Sequence, residues 1–520
     1  MTRPASITDD LLRRLVSRVP STSGGTWKLT EVYTGDVLVE VPQSTPADVT
    51  AAAARAREAQ QQWAGTPLAE RLAVFERAHE LIIRNQHVVA DLIQAESGKA
   101  RRMAFEEACD PVMVISHYLK RAPKVLARKR HGGPVPVLSH STEVHIPRGV
   151  VGVIAPWNFP FATGLSDAVP ALMAGNAVLL KPDNKTALSP LYGIGLLEEA
   201  GLPPGLFQVV CGEGPDVGPT LIDNVDYVMF TGSTATGRFI GERAGRNLID
   251  CCLELGGKNP MIVLDDVTGP VLDELLAGIM FAVFANTGQV CMHIERIYVA
   301  ERLYDEFRDR FVAAAKALRM GATYDFGPEI GGLVSPDHLA RVQSHVEDAV
   351  TKGATLLCGG EARPDIGPTF FEPTVLEGVT KEMLHGSVET FGPVVALHPY
   401  RTVDEAVALA NDTDYGLNAS VWSADIQRAT EIAELIESGN VNINDGLATA
   451  YASKGSPSGG LKNSGVGARH GDQGLLKYTD VKNIAVLKKQ VMAPQKGQTY
   501  EAYVKQMQLS LRWMRKLRLR

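Results

Sequence analysis

Phe230-Thr-Gly-Ser-Thr-Ala-Thr-Gly237, Leu253-Glu-Leu-Gly-Gly-Lys258 and Gly288-Gln-Val-Cys291 are three parts of one stretch, residues 230–296, around which the chain is organised. The first reads as a phosphate-receiving turn, because small residues let backbone N–H groups at a helix N-terminus approach a pyrophosphate. A Ser/Thr helix cap without a ligand uses the same residues. Gly237 is expected to open a helix over 238–249. The second part sets Glu254 between two leucines and ahead of two glycines, and a carboxyl with apolar neighbours has a raised pKa suited to a general base. The third sets Cys291 after Asn286-Thr-Gly-Gln289, a polar turn following an apolar helical run over 275–284. An isolated cysteine is ordinarily a small buried hydrophobe. Here a thiolate could attack a carbonyl carbon and a base could later activate water on the thioester, so the stretch reads as a covalent active site beside a nucleotide pocket.

Working outward, a unit repeats from residue 148 onward: a short apolar run, a turn, then a helical pattern. The runs are Gly149-Val-Val-Gly-Val-Ile-Ala155, Ala177-Val-Leu-Leu180, Phe207-Gln-Val-Val210 and Tyr227-Val-Met-Phe230, with helical segments such as 188–200 between them. Branched runs of this length are strands buried on both faces of a parallel sheet, so the unit is βαβ. Ligands on such sheets lie beyond the carboxyl ends of the strands. After the first run, Asn158 in Pro156-Trp-Asn-Phe-Pro160 could offer its amide to a developing oxyanion, or be a turn asparagine. After the second, Lys181 could meet a ribose hydroxyl or a phosphate, or be merely solvated. Neither the 230–237 turn nor Gly212-Glu-Gly214, whose next glycine is 218, is a G-x-G-x-x-G fingerprint.

The bulk numbers narrow the class. At 520 residues, 45% hydrophobic and 21% charged, the chain can bury two or three domain cores. A net charge of −7 supplies no basic field for nucleic acid. Residues 1–19 carry both signs of charge and do not read as a signal peptide, and no segment is expected to reach the ~20 apolar residues that span a bilayer. The six cysteines, at 109, 211, 251, 252, 291 and 358, form neither a Cys-x-x-Cys pair nor a zinc pattern. They suggest a reduced, cytoplasmic setting without a metal. Residues 44–127 read as amphipathic helices covering a sheet, with Pro46 and Asp48 as a start signal, and 128–148 as extended chain or a hairpin. Residues 506–520 hold five basic and no acidic side chains in an amphipathic pattern. A helix packed on the body or on a partner subunit is preferred there to a helix on anionic membrane.

Seven motifs, Pro156-Trp-Asn-Phe-Pro160, Lys181-Pro182, Phe230-Thr-Gly-Ser-Thr234, Leu253-Glu-Leu-Gly-Gly-Lys258, Gly288-Gln-Val-Cys291, Glu389-Thr-Phe-Gly-Pro393 and Gly459-Gly-Leu-Lys-Asn-Ser-Gly465, resemble in order and spacing those of the NAD(P)-dependent aldehyde dehydrogenase superfamily, over most of residues 30–490. The resemblance implies an α/β fold: a Rossmann-type cofactor domain over 1–256 with 458–475 returning to it, an α/β catalytic domain over 257–457, a β oligomerisation arm from 128–149 and 476–490, and a basic extension over 491–520. It implies that Cys291 is the nucleophile, that Asn158 and the Cys291 N–H hold the oxyanion, and that Glu254 activates water. Lys181 would bind the adenosine ribose, Gly232 and Ser233 the pyrophosphate, and Glu389 the nicotinamide ribose, with Phe391, Trp157 and Leu255 against the cofactor. A small aldehyde substrate and a homodimer or homotetramer follow by the same analogy.

Some positions depart from the common pattern. Where many members have a ribose-binding glutamate this chain has Asn184, followed by Lys185, which removes repulsion against a 2′-phosphate and leans towards NADP over NAD; Asp183 can still contact the ribose. Nine residues after Asn158 stands Asp167 in place of a common lysine, preceded by Ser166 where succinate-semialdehyde enzymes often carry an arginine. Ser166-Asp-Ala168, Lys181-Pro-Asp-Asn184, Cys291-x-x-Ile-Glu-Arg296 and Lys454-Gly-Ser-Pro457 nevertheless look most like the second type of bacterial succinate-semialdehyde dehydrogenase. Lys454, Arg121 and His293 are then the candidates to meet a substrate carboxylate. The competing functions are oxidation of another small aliphatic or aromatic aldehyde, a CoA-acylating relative, against which Glu254 argues, and a silent nucleotide-binding oligomer.

Overall fold

The four apolar runs each form a strand of a six-stranded sheet in the order Gly465–Val466, Asp250–Glu254, Tyr227–Thr231, Val150–Ile154, Ala177–Lys181, Phe207–Val209. All neighbours are parallel except Gly465–Val466, which runs antiparallel to Asp250–Glu254. This is the computed structural model of the chain, describing residues 3–135, 137–489 and 493–516. Parts of the expected arm and basic extension, residues 490–492 and 517–520, and residue 136 of the expected hairpin lie outside the described residues. The first strand of the repeat, Val150–Ile154, lies beside the fourth, Tyr227–Thr231, so the strand order reverses between them. The crevice beyond their carboxyl ends is where such sheets take ligands, and it is flanked by Ala155 to Asn158 on one side and Gly232 and Ser233 on the other.

The helix after that turn is Thr234–Arg246, so it begins ahead of the expected 238 and stops before 249. Ser233 is its N-cap, its side chain accepting the Thr236 N–H, which frees the other first-turn N–H groups towards the crevice. Gly237 therefore sits within the helix, where a Cβ would come 2.5 Å from the Leu255 side chain; close helix–strand packing requires its glycine.

A second sheet of seven strands runs Thr355–Cys358, Thr374–Glu377, Val394–Tyr400, Ile294–Ala300, Asn259–Val263, Asn418–Trp422, Asn440–Ile443, parallel except for its first pair. Against it packs the apolar helix Pro270–Phe284, which continues into a tight turn ending at Gly288. Together Pro270–Gly288 make 19 residues of mean hydropathy 1.4, so one helix does have the length and apolarity of a membrane span, contrary to the sequence reading. Ile279, Ala282, Val283 and Phe284 of this helix are buried in one cluster with Ile262, Ile297, Phe311 and Trp422, and a helix enclosed in a core is apolar for that reason.

Residues 44–127 form the helices Pro46–Gly65, Leu68–Arg84, Gln86–Ser97 and Arg101–Val125. The start signal works as a capping box: Thr45 accepts from the Asp48 N–H and the Asp48 carboxylate accepts from the Thr45 N–H. Gly98 ends the third helix in the left-handed conformation, and directly after it Lys99 turns inward. Its ammonium, without solvent exposure, ion-pairs with Glu107 and donates to the Asn158 carbonyl at 2.6 Å. Glu107 in turn accepts from the N–H groups of Phe161 and Ala162 at 2.9 and 3.2 Å, capping the helix Pro160–Ser166.

Residues 126–146 and 480–520 make a separate compact unit. Its sheet has the order Thr479–Leu487, Ser139–Pro147, Lys129–Gly132, and the helix Tyr500–Lys516 has no buried residue.

Lys99→Met leaves the Glu107 carboxylate buried without its cation, and removing one partner of a buried pair costs about 3–5 kcal/mol. Denaturation should show a loss of that order, recovered in large part by the double change Lys99→Met with Glu107→Gln.

Candidate active site

The approach to Cys291 is a strained turn. Asn286 and Thr287 have φ of 50° and 57°, where residues other than glycine are uncommon, and Gly288 follows at 70°. Side chains hold it: Asn286 Nδ2 donates to the Gln289 carbonyl at 3.1 Å, while Gln289 Nε2 donates to the Asn286 carbonyl at 3.1 Å and its Oε1 accepts the Val334 N–H at 2.9 Å. A Cβ on Gly288 would fall 2.0 Å from the Gly392 carbonyl oxygen, so only glycine fits. Beyond the turn, Asn259 Nδ2 donates to the carbonyls of Cys291 and His293 at 2.8 and 2.7 Å.

Asn158 reaches the same place from the first sheet. It is buried, and its Nδ2 donates to the Gln289 carbonyl at 3.0 Å, leaving the second amide hydrogen for another acceptor. Lys99 and Asn286 donate to its backbone carbonyl at 2.6 and 3.4 Å, so both ends of the residue are held.

Glu254, the last residue of its strand, is buried, and its Oε1 has no hydrogen-bond partner. Burial pushes its carboxyl up to about 7, with Arg469 and Lys477 pulling down and Asp167 pushing up. Arg469 is the nearest cation: Nη1 lies 3.9 Å from Glu254 Oε2, while Nε and Nη2 bind Asp167 at 3.0 and 2.9 Å and Nη2 also donates to Thr231 Oγ1. Burial pushes the Cys291 thiol up to about 12, against Arg469. The thiol form therefore prevails near neutral pH, and the thiolate that attacks in the sequence reading forms only when that proton leaves.

Two cavities flank these groups. One, of about 810 Å³, is lined by Trp157, Lys181, Asp183, Asn184, Lys185, Gly232 and Ser233. The other, about 270 Å³, is lined by Asn158, Phe159, Met113, Cys291, Tyr451 and Arg469, and Thr231 borders both. The larger suits a dinucleotide: a capped helix N-terminus at Ser233 faces it, and the Lys181 ammonium donates to the Pro182 carbonyl at 3.3 Å. Asn184 does not offer a free amide there. It is buried, donates to Glu213 at 3.0 Å and accepts the Gly212 N–H at 3.1 Å, so it shapes the wall while Lys185 and Asp183 present the charges. Glu389 accepts the Gly257 N–H at 3.0 Å, with burial and Glu295 raising its carboxyl to about 7. Phe391, at φ 61°, stands edge-on to Trp157 at 5.4 Å, and Leu255 packs under Gly237.

The three cations put forward for a substrate carboxylate are already paired. Lys454 binds Asp110 at 2.6 Å, Arg121 holds Asp472 through two bonds of 2.6 and 2.8 Å, and His293 is buried with Nδ1 on the Val290 carbonyl at 2.5 Å. None of the three lines the smaller cavity; the cation that does is Arg469. Arg469, Lys99 and the pair Lys258–Glu295, whose carboxylate accepts the N–H groups of Thr390 and Phe391 at 2.9 and 3.0 Å, are the site residues that sequence reasoning missed. The one available signal was a charged residue in a glycine-rich stretch, as at Gly98-Lys99 and Gly467-Ala-Arg469.

Comparison with known proteins places this geometry in context. Residues 19–484 match the model of the aldehyde dehydrogenase family. A protein of Mycolicibacterium smegmatis named putative succinate-semialdehyde dehydrogenase (NADP+) is 46% identical over 517 residues, 99% of each chain. One of Mycobacterium tuberculosis, with the same name and the number 2, is 47% identical over 485 residues, 93% of each. Among solved structures, betaine aldehyde dehydrogenase from Staphylococcus aureus in complex with NAD+ superposes with a TM-score of 0.87 at 31% identity, covering 92% of this chain and 96% of that one.

Proposed function

Because the chain belongs to the aldehyde dehydrogenase family, we propose that it oxidises succinate semialdehyde to succinate with NADP, using Cys291, Asn158 and Glu254. The observation that carries the chemistry is their convergence: the thiol and the amide line one cavity, and the buried Glu254 carboxyl, with a pKa near 7, is close enough for its charge to act on that thiol. Once its proton has passed to solvent, Cys291 Sγ adds to the aldehyde carbon, and the resulting oxyanion accepts a hydrogen bond from the second Asn158 amide N–H. NADP, held along the larger cavity by residues such as Lys181 and Ser233, would supply the acceptor for the hydride that leaves that carbon, and Cys291 would then carry the acyl group as a thioester. Glu254 then takes a proton from water, whose oxygen attacks the thioester, and the C–S bond breaks to release the acid.

The substrate rests on the names of the relatives that are 46 and 47% identical. NADP is supported by those names and by Lys181 and Lys185 in the larger cavity, where Asn184 stands in place of a carboxylate. The proposal includes the division into cofactor domain, catalytic domain and arm over the ranges given above, a homodimer or homotetramer, and a cytoplasmic location. A second reading, a neutral aliphatic or aromatic aldehyde, is favoured by the smaller cavity itself: Met103, Met113, Phe159, Phe281 and Met292 line it, and Arg469 is held by Asp167.

An aldehyde panel run with NAD and with NADP, read by absorbance of the reduced nucleotide, tests both readings. Succinate semialdehyde with NADP should give the highest kcat/KM; turnover of neutral aldehydes alone would select the second reading. Cys291→Ala should abolish turnover and leave NADP binding intact by fluorescence. Glu254→Gln should keep a stoichiometric burst of reduced nucleotide while steady turnover falls about 10²–10⁴-fold. Since the base form of Glu254 is the active one, the wild-type steady rate should rise with pH through about 7.

A further inference from the structure

A buried carboxylate can fail as a base in two ways. Left alone it stays protonated, and gripped at hydrogen-bond distance by a cation it stays ionised but loses its affinity for a proton. Glu254 avoids both. Its Oε1 is unpartnered, and its Oε2 is 3.9 Å from Arg469 Nη1, near enough to feel the charge but beyond a hydrogen bond. The guanidinium is kept at that distance by its other bonds: Nε and Nη2 to the two Asp167 oxygens at 3.0 and 2.9 Å, and Nη2 again to Thr231.

We infer that Arg469 is a positioning residue for Glu254, and that Asp167, by holding Nε and Nη2, sets how strongly the guanidinium acts on that carboxylate. Four separate segments meet here. Glu254 ends one strand, Arg469 follows the edge strand Gly465–Val466 that pairs with it, Asp167 lies between the helices Pro160–Ser166 and Ala168–Met173, and Thr231 ends the neighbouring strand. The other titratable groups around Glu254 are Lys477, which caps the helix Gln473–Leu476, Cys252 on its own strand and Cys291. Lys477 donates to the Ala468 carbonyl at 3.2 Å, whereas Arg469 also borders the cavity that holds Cys291. Arg469 thus reaches Glu254 from the wall of the cavity that holds Cys291.

The inference rests on Glu254 acting as the base of thioester hydrolysis. In that step the water oxygen bonds to the acyl carbon, its proton passes to the Glu254 carboxylate, and the C–S electron pair leaves with Cys291 sulfur, which recovers a proton to restore the thiol. Arg469 neither gains nor loses a proton; it orients the carboxylate and biases its charge. Asp167 opposes that bias, since its own charge favours the protonated Glu254.

The test is the pH profile of steady turnover, recorded beside burst amplitude and NADP binding, in Arg469→Gln, Arg469→Lys, Asp167→Asn and the double variant of Asp167→Asn with Arg469→Gln. Arg469→Gln should move the acid limb up by about one pH unit or more, Arg469→Lys should bring it back, and Asp167→Asn should move it down. The double variant leaves neither charge buried alone, so it keeps the measurement available where a single variant loses the fold. Its limb should lie above wild type, because Arg469 acts on Glu254 more strongly than Asp167 does. Unmoved limbs, or shifts of the two single variants in the same direction, would overturn the inference, because a merely structural pair would lower yield or stability without opposed shifts. Glu254→Gln distinguishes the underlying reading: if its steady rate keeps the acid limb, Glu254 is not the base.

Discussion

The ammonium of Lys99 on the carbonyl oxygen of Asn158 is the contact on which the rest of the site depends. Three stretches distant in sequence meet there: the helical layer that carries Lys99 and Glu107, the loop that carries Asn158, and the turn at 286–291 whose Asn286 donates to the same oxygen. A fully buried ammonium is costly to desolvate, and only complete satisfaction makes it tolerable. Here it is met by the Glu107 carboxylate, the Asn158 carbonyl and the face of Phe159 at 4.1 Å. Because Glu107 also caps the helix that follows, the Asn158 amide is fixed through its own backbone at one end and through the Gln289 carbonyl at the other. Preorganisation of this kind lets an amide stabilise charge without reorganising at the moment it develops.

Dryness then acts on every ionisable group at once. The burial that lifts the carboxyls of Glu254 and Glu389 to about 7 also lifts the Cys291 thiol to about 12. Ion pairs recur in this interior: Lys99 with Glu107, Lys258 with Glu295, Arg469 with Asp167 and Lys454 with Asp110. Their work is geometric. Glu295 ties down the backbone of Thr390 and Phe391, which keeps Phe391 in a left-handed conformation against Trp157 and lets Glu389 reach the Gly257 N–H.

What was legible in the amino-acid order follows from how local each signal is. The branched runs at 149–155, 177–180, 207–210 and 227–230 announce strands because both faces of a parallel sheet are dry, a property each run carries by itself. Thr45 and Asp48 announce a helix start because the capping partners are three residues apart. A charge discloses its sign locally but not its partner. Lys454 finds Asp110 at a separation of 344 residues, Arg121 finds Asp472 at 351, and Arg469 finds Asp167 at 302. Two candidates for a substrate contact therefore proved to be held elsewhere, and Arg469 stayed invisible beside the site. The apolar helix 270–288 is longer than the run read at 275–284, and hydropathy alone does not tell a protein core from a bilayer.

The pairing has a consequence for selectivity. Each carboxylate bordering the smaller cavity has a cation, Glu106 with Arg102, Glu107 with Lys99 and Asp110 with Lys454, and its one bordering cation, Arg469, has Asp167. The walls between are methionine and aromatic side chains, so the cavity attracts by its apolar surface and carries little net field. On the proposed reading, a substrate carboxylate entering it competes with Asp167 for Arg469, at a site where an uncompensated buried charge costs several kcal/mol. Discrimination between an anionic and a neutral aldehyde would then turn on exchange of Asp167 at Arg469, which would also alter the field on Glu254.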